Sequence, residues 1–232
     1  MVYASYSHPG DEMRALLCSI LLLGLVGCGG NPPPEEDPKQ QEMPKKKKRK
    51  HAGSLTFHEF KGTEPTQKTD KSIVGKGVTL VNPKGEEVEL NSLLGKPLVM
   101  VFMRGFNGMI CPYCTTYTAQ MAVRYEEFRQ AGGEILVIYP TREKDAGQIE
   151  LFTELVEEII ADEGEQAIPF PVYLDLGTKV VDKYNLNGDL SKPTTFVLDP
   201  QGKIQYLYVG RDTDDRPSLD RVLAEVRKIT GK

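Results

Sequence analysis

Beyond residue 71, short runs of β-branched and aromatic residues alternate with segments of helical periodicity, and that alternation admits few folds. "LVMVF" (98–102), "EILVIY" (134–139), "PVYLD" (171–175), "TTFVLD" (194–199) and "IQYLYVG" (204–210) have the length and composition of buried strands. Upstream, "GVTLVNPKGEEVEL" reads as two shorter strands joined by a turn at Asn82-Pro83-Lys84-Gly85. Between the strands, Tyr117, Met121, Tyr125 and Phe128 share one helical face. Phe152, Leu155, Val156, Ile159 and Ile160 share a second face, and Leu219, Val222, Leu223, Val226 and Ile229 a third. Methionine and aromatic stripes at this spacing belong to a core, not to a cofactor site. The pattern predicts an α/β domain over residues 72–232, with a central mixed β-sheet flanked by helices. It also predicts an N-terminal β-hairpin extension, a second hairpin at Pro200-Gln201-Gly202-Lys203 and a closing helix.

The remaining residues cannot build a second core. A chain of 232 residues, 39% hydrophobic and 27% charged with net charge −4, accommodates one well-buried domain plus extensions and has no overall basic field for nucleic acid. The longest apolar run, "ALLCSILLLGLVG" (15–27), has the length of a signal-peptide core and is too short to span a membrane. Leu25-Val26-Gly27-Cys28 resembles the bacterial lipobox, in which cleavage precedes a cysteine that receives lipid. Met13-Arg14 would supply the short basic segment that precedes such a run, so Met13 is the expected start. The organisation expected is a lipoprotein signal peptide at 1–27, then a lipidated Cys28 with a Pro- and Lys-rich tether to residue 71. "GGNPPPEEDPKQQEMP" and the block "KKKKRK" (45–50) cannot bury apolar surface and read as an extended spacer. The basic block would be drawn to anionic headgroups. The expected location is a bacterial cell envelope, lipid-anchored and facing the extracytoplasmic side.

This reading leaves Cys111 and Cys114 as the cysteines of the folded domain, spaced C-x-x-C in "RGFNGMICPYCTTY". They fall where a strand ends and a helix begins. Pro112 suits the first helical position and makes Cys111 the N-cap, with unpaired amides and the positive end of the helix dipole facing its sulfur. These features favour thiolate, the attacking species in thiol–disulfide exchange. Cys114 lies one turn on, within bonding reach and further inside. A structural zinc site would need four ligands, yet no further cysteine is available and the histidines beyond the signal, His51 and His58, lie in or beside the tether. A passive staple closing so small a loop would contribute little. A redox dithiol is the reading these residues favour, with the metal and staple readings as alternatives.

Residues 72–232 resemble the thioredoxin-like superfamily. Within it they resemble the redoxin branch of alkyl hydroperoxide reductase and thiol-specific antioxidant domains, close to membrane-anchored thiol–disulfide reductases. The segments that carry the resemblance are "LNSLLGKPLVMVF", "RGFNGMICPYC" and "KPTTFVLDPQGKI". It implies a redox-active Cys111–Cys114 disulfide with no other cofactor and no metal. It also implies a cis-proline at Pro193 beside the dithiol, and substrate contacts at Pro112, Tyr113, Lys192 and Thr194, where a partner peptide would pair with backbone. Partners would be protein thiols and disulfides, with a membrane electron donor. Two departures bear on chemistry. Gly108 stands where peroxiredoxins carry a threonine and Pro193 where they carry an arginine, which argues against an efficient peroxidase. Val101 stands where thioredoxins carry a buried carboxylate, leaving Cys114 without an identified proton acceptor. The function expected is a lipid-anchored thiol–disulfide oxidoreductase reducing protein disulfides. A thiol peroxidase with an antioxidant role and a non-catalytic tethered binding domain are the alternatives.

Overall fold

A computed structural model describes residues 58–65 and 77–232. The expected signal peptide, the lipidated Cys28 and the basic block lie outside the described residues.

The apolar runs become strands within two residues of their expected ends. Strands β1 (Thr79–Val81), β2 (Glu87–Glu89), β3 (Leu98–Phe102), β4 (Glu134–Thr141), β5 (Val172–Leu176), β6 (Thr194–Leu198) and β7 (Ile204–Val209) form one sheet in the order β2-β1-β5-β4-β3-β6-β7. β3, β4 and β5 are parallel to one another, and the outer strands pair antiparallel, so the sheet is mixed. Helices α1 (Pro112–Val123) and α2 (Tyr125–Gln130) carry the chain from β3 to β4, and α3 (Gln148–Ala161) carries it from β4 to β5. These are the crossovers that parallel neighbours require. A short helix α4 (Lys179–Lys183) follows β5, and α5 (Leu219–Thr230) closes the domain.

Strand pleating divides the core between the two faces of the sheet. Val99, Val101, Ile135, Val137 and Tyr139 face α1, α3 and α5, where Tyr117, Phe152, Val156, Val222 and Val226 are buried. Leu98, Met100, Phe102, Leu136, Ile138 and Phe196 face the opposite layer, closed by Val180 and Val181 of α4 and by Leu90.

The structure departs from expectation in three places. The first helical stripe is broken at Arg124 (φ −98°, ψ 7°), so Tyr117 and Met121 lie on α1 while Tyr125 and Phe128 lie on α2. Helix α4 has no counterpart in the sequence pattern, because five residues carry too few turns to show a periodicity. The third difference concerns the tether. Residues 58–65, expected to be extended spacer, pack against the domain as a strap. The Gly62 amide donates to the Arg216 carbonyl (3.0 Å), the Ser218 amide donates to the Gly62 carbonyl (2.8 Å), and Gln120 Nε2 donates to the His58 carbonyl (2.8 Å). A single buried aromatic, Phe60, anchors the strap in the core. One apolar residue within "HEFKGTE" gives no periodic signal, yet its burial and three hydrogen bonds hold the segment.

Candidate active site

The loop between β3 and α1 brings the dithiol to the end of the parallel strands. Gly105 makes the approach possible. Its φ is +80°, and a Cβ there would lie 2.1 Å from the Pro140 carbonyl oxygen, so only glycine lets the loop cross the end of β4. Cys111 is the N-cap of α1, with Pro112 at the first helical position, as the sequence predicts. Both cysteines are reduced. The fold does not leave the attacking thiol open to solvent. Cys111 is 2% exposed and Cys114 0% exposed, both within the cluster that contains Phe60, Met103, Tyr117 and Tyr139. A helix N-cap alone would leave the sulfur open, and here the surrounding core closes over it.

Burial does not make the site apolar. The Cys111 thiol is lowered to about 6, chiefly by the side-chain hydrogen bond from Cys114. Desolvation opposes this shift, while the Cys114 and Tyr113 amides and the Arg216 guanidinium reinforce it. Cys114 moves the other way. Desolvation pushes its pKa well up, and the bond to Cys111 adds to that, against the opposing pull of Arg216. At neutral pH the pair therefore holds one negative charge on Cys111, with Cys114 as the protonated donor beneath it.

Two cationic residues reach this pair, by different atoms. Arg216 Nη2 donates to Cys114 Sγ at 3.1 Å, from a side chain only 2% exposed. Its guanidinium lies 5.7 Å from the Phe60 ring centroid and 5.6 Å from that of Tyr117, and Nη1 donates to the Thr213 carbonyl. Arg104 contributes its backbone amide, which donates to Cys114 Sγ at 3.4 Å. Its side chain turns away to an ion pair with Asp189 (2.7 Å). Tyr139 also feels the dithiol: burial raises its phenol first, and the charges at Cys114 and Cys111 raise it further. Val101, in the place of the thioredoxin carboxylate, is buried and apolar.

The remaining expected residues are arranged around this centre. Pro112 and Tyr113 lie in the first turn of α1 and are half-buried, and the Tyr113 ring meets His58 edge-on at 5.0 Å. β3 and β6 pair with Phe102 opposite Thr194, and continuing that register sets Pro193 opposite Met103. The Pro193 carbonyl accepts from the Gly210 amide at 2.7 Å. Lys192 is exposed, but its amide is already given to the Leu186 carbonyl (2.7 Å), and its carbonyl accepts from the hydroxyls of Ser191 (3.1 Å) and Thr194 (3.0 Å). Thr194 lies inside the sheet, between β3 and β7. A partner peptide thus finds no open edge at Thr194, and at Lys192 it meets groups already bonded within the chain. Gly108 (φ +81°) is exposed, with open space where a side chain would project. Among the described residues, no group of three or more His, Cys, Asp or Glu is placed to hold a metal ion.

Arg216 is the site residue that sequence reasoning misses. It stands 102 positions from Cys114, in a polar loop before α5, and "DDRPS" carries no motif. The one hint is a lone arginine followed by proline next to an N-capping serine, Ser218.

Comparison with known proteins gives a consistent picture. Residues 75–207, more than half of the chain, match the model of the AhpC/TSA family. Among curated proteins, the chain is 29% identical over 145 residues to chloroplastic peroxiredoxin Q of Triticum aestivum, covering 61% of this chain and 59% of that protein. It is 28% identical over 150 residues to the thiol-disulfide oxidoreductase ResA of Halalkalibacterium halodurans, covering 62% and 74%. Among solved structures, the peroxidoxin BcpB of Mycobacterium tuberculosis aligns with TM-score 0.52 at 21% identity, over 72% of this chain and 98% of that one. A yeast mitochondrial 1-Cys peroxiredoxin aligns with TM-score 0.54 at 17% identity, over 68% and 73%. These structures support the fold: a thioredoxin-like sheet with the dithiol at the start of its first long helix.

Proposed function

The chain belongs to the AhpC/TSA family of thioredoxin-like redoxins, and from that premise we propose that it is a thiol–disulfide oxidoreductase that reduces protein disulfides from a lipid anchor on the extracytoplasmic face of a membrane. The observation that carries this reading is the asymmetry of the dithiol. One sulfur at a helix N-terminus is acidic, and the second, one turn on, is a protonated donor to it. The Cys111 thiolate attacks one sulfur of a substrate disulfide, and the displaced substrate sulfur leaves as a thiolate and takes a proton from water. Cys114 then attacks Cys111 Sγ, closing the Cys111–Cys114 disulfide and releasing the second substrate sulfur. Two electrons pass from the dithiol to the substrate, and a membrane electron donor returns them. Met109, 56% exposed and two residues before Cys111, offers a soft apolar contact to a polypeptide at the rim. With Cys111 covered in the resting state, that rim must yield for a disulfide to reach the sulfur.

Reduction of insulin disulfides by the protein tests the reading. Turnover is expected from wild type and not from Cys111→Ser, and equal turnover by both would remove it. Anchoring rests on Leu25-Val26-Gly27-Cys28 and is tested separately: Cys28→Ala is expected to release the protein from membranes, and continued attachment would contradict the anchor.

One observation favours a second reading, a thiol peroxidase. A thiolate that is 2% exposed is better matched to a peroxide than to a folded protein. Gly108 and Pro193, which replace peroxide-activating residues, weigh against it. Sulfenic acid forming at Cys111 with hydrogen peroxide much faster than on free cysteine would favour this reading, and a rate no better than free cysteine would set it aside.

A further inference from the structure

The exchange reading leaves one step without a chemical agent. When Cys111 is tied up in a mixed disulfide, Cys114 must become a thiolate inside the protein, yet Val101 stands where a carboxylate would take its proton. Building on that reading, we infer that the Arg216 guanidinium is the catalytic group of this second step: it stabilises the Cys114 thiolate by direct contact, and charge compensation replaces a buried base.

Among the described residues, no carboxylate pairs with the buried Arg216 cation. Its polar contacts are Cys114 Sγ at 3.1 Å and the Thr213 carbonyl, and Nε has no partner. The carboxylate next to it in sequence is turned elsewhere, since Asp215 accepts from the Tyr208 hydroxyl and from the Arg211 amide (2.8 Å). Guanidinium does not lose its proton in a protein, and leaving it unpaired in the interior is costly. The dithiol supplies the missing negative charge.

The groups facing Cys114 show when that charge matters. They are Cys111 at the N-cap of α1, the Arg104 amide from the loop after β3 with its guanidinium more weakly coupled, Arg216 from the loop before α5, and the uncharged Tyr139 phenol from β4. In the resting dithiol, the Cys111 thiolate repels a second negative charge and accepts the Cys114 proton, so both contacts hold Cys114 protonated. Once Cys111 Sγ is bonded to substrate sulfur, that charge and that acceptor are gone. Arg216 and the Arg104 amide remain and favour the thiolate. Burial, the largest influence against the Cys114 thiolate, persists, so forming the mixed disulfide favours that thiolate only by removing the contribution of Cys111, and Arg216 supplies the compensating charge. The step balances as Cys114–SH plus Cys111–S–S–R giving the Cys111–Cys114 disulfide plus R–SH, the Cys114 proton passing through solvent to the departing sulfur.

The test is a titration of Cys114 by thiolate ultraviolet absorbance in a Cys111→Ala protein, where no second thiol interferes. Adding Arg216→Gln is expected to move the midpoint up by about one pH unit or more, and Arg216→Lys, which restores the charge, to bring it back towards the parent. An unchanged midpoint in Arg216→Gln, or a Lys variant that titrates as the Gln variant does, would overturn the inference. Arg216→Met serves in place of Gln if the latter does not fold. A kinetic arm uses protein carrying both cysteines, loaded at low pH with thionitrobenzoate on Cys111 and then shifted to neutral pH. Arg216→Gln is expected to release the probe about tenfold more slowly than protein with Arg216, with the gap closing at high pH. Equal release at neutral pH would also overturn it. The titration needs no exchange to occur, so it separates failure of this inference from failure of the exchange reading.

Discussion

The Phe60 ring stands edge-on against Tyr117, with ring centroids 4.8 Å apart, and the Arg216 guanidinium carbon lies 5.7 and 5.6 Å from the two centroids. A residue outside the expected domain thereby joins the buried cluster that holds the dithiol. Phe60 is 5% exposed, so Phe60→Ala removes a full aromatic contact and is expected to lower stability by about 3 kcal/mol. Denaturant unfolding measures this. A loss below about 1 kcal/mol would mean that the strap is only laid on the surface.

The acidity of Cys111 depends first on Cys114. Thiolate predominates above a pH of about 6, so alkylation of Cys111 by iodoacetamide is expected to rise through that value and level off above it. Cys114→Ala removes the largest stabilising contact, and the midpoint should move upward. A midpoint that stays in place would shift the cause to the helix terminus and to Arg216.

The two arginines near the dithiol have different parts. Arg104 hydrogen-bonds the dithiol through its backbone amide, while its guanidinium is paired chiefly with a largely exposed Asp189 and feels the charges of Cys111 and Cys114 less strongly. Arg104→Met keeps the amide and loses a partly solvated ion pair, a cost of about 1 kcal/mol or less. Cys111 alkylation rates should stay within about twofold of wild type. A larger loss of reactivity would show that the side chain acts on the sulfur.

These outcomes show what local pattern reveals and what it conceals. The five longer strands, the N-cap at Cys111 and the helix start at Pro112 are legible because each follows from neighbouring residues: β-branched runs, a strand end and a proline. Concealment begins where contacts span the chain. Arg216 meets Cys114 only after α5 folds back on the sheet, and Phe60 is a lone apolar residue with no period to announce it. The break at Arg124 is local, but it is held by a guanidinium shared between Glu127 (2.7 Å) and Asp220 (2.8 Å), one of which is remote in sequence.

The most direct test of the account is mass spectrometry of Cys114→Ser and wild-type protein after exposure to a disulfide-bonded peptide. The account predicts a stable peptide adduct on Cys111 in the variant. It predicts no lasting adduct in wild type, but a Cys111–Cys114 disulfide and a reduced peptide. A variant that forms no adduct, or a wild type that keeps one while Cys114 stays reduced, would contradict it.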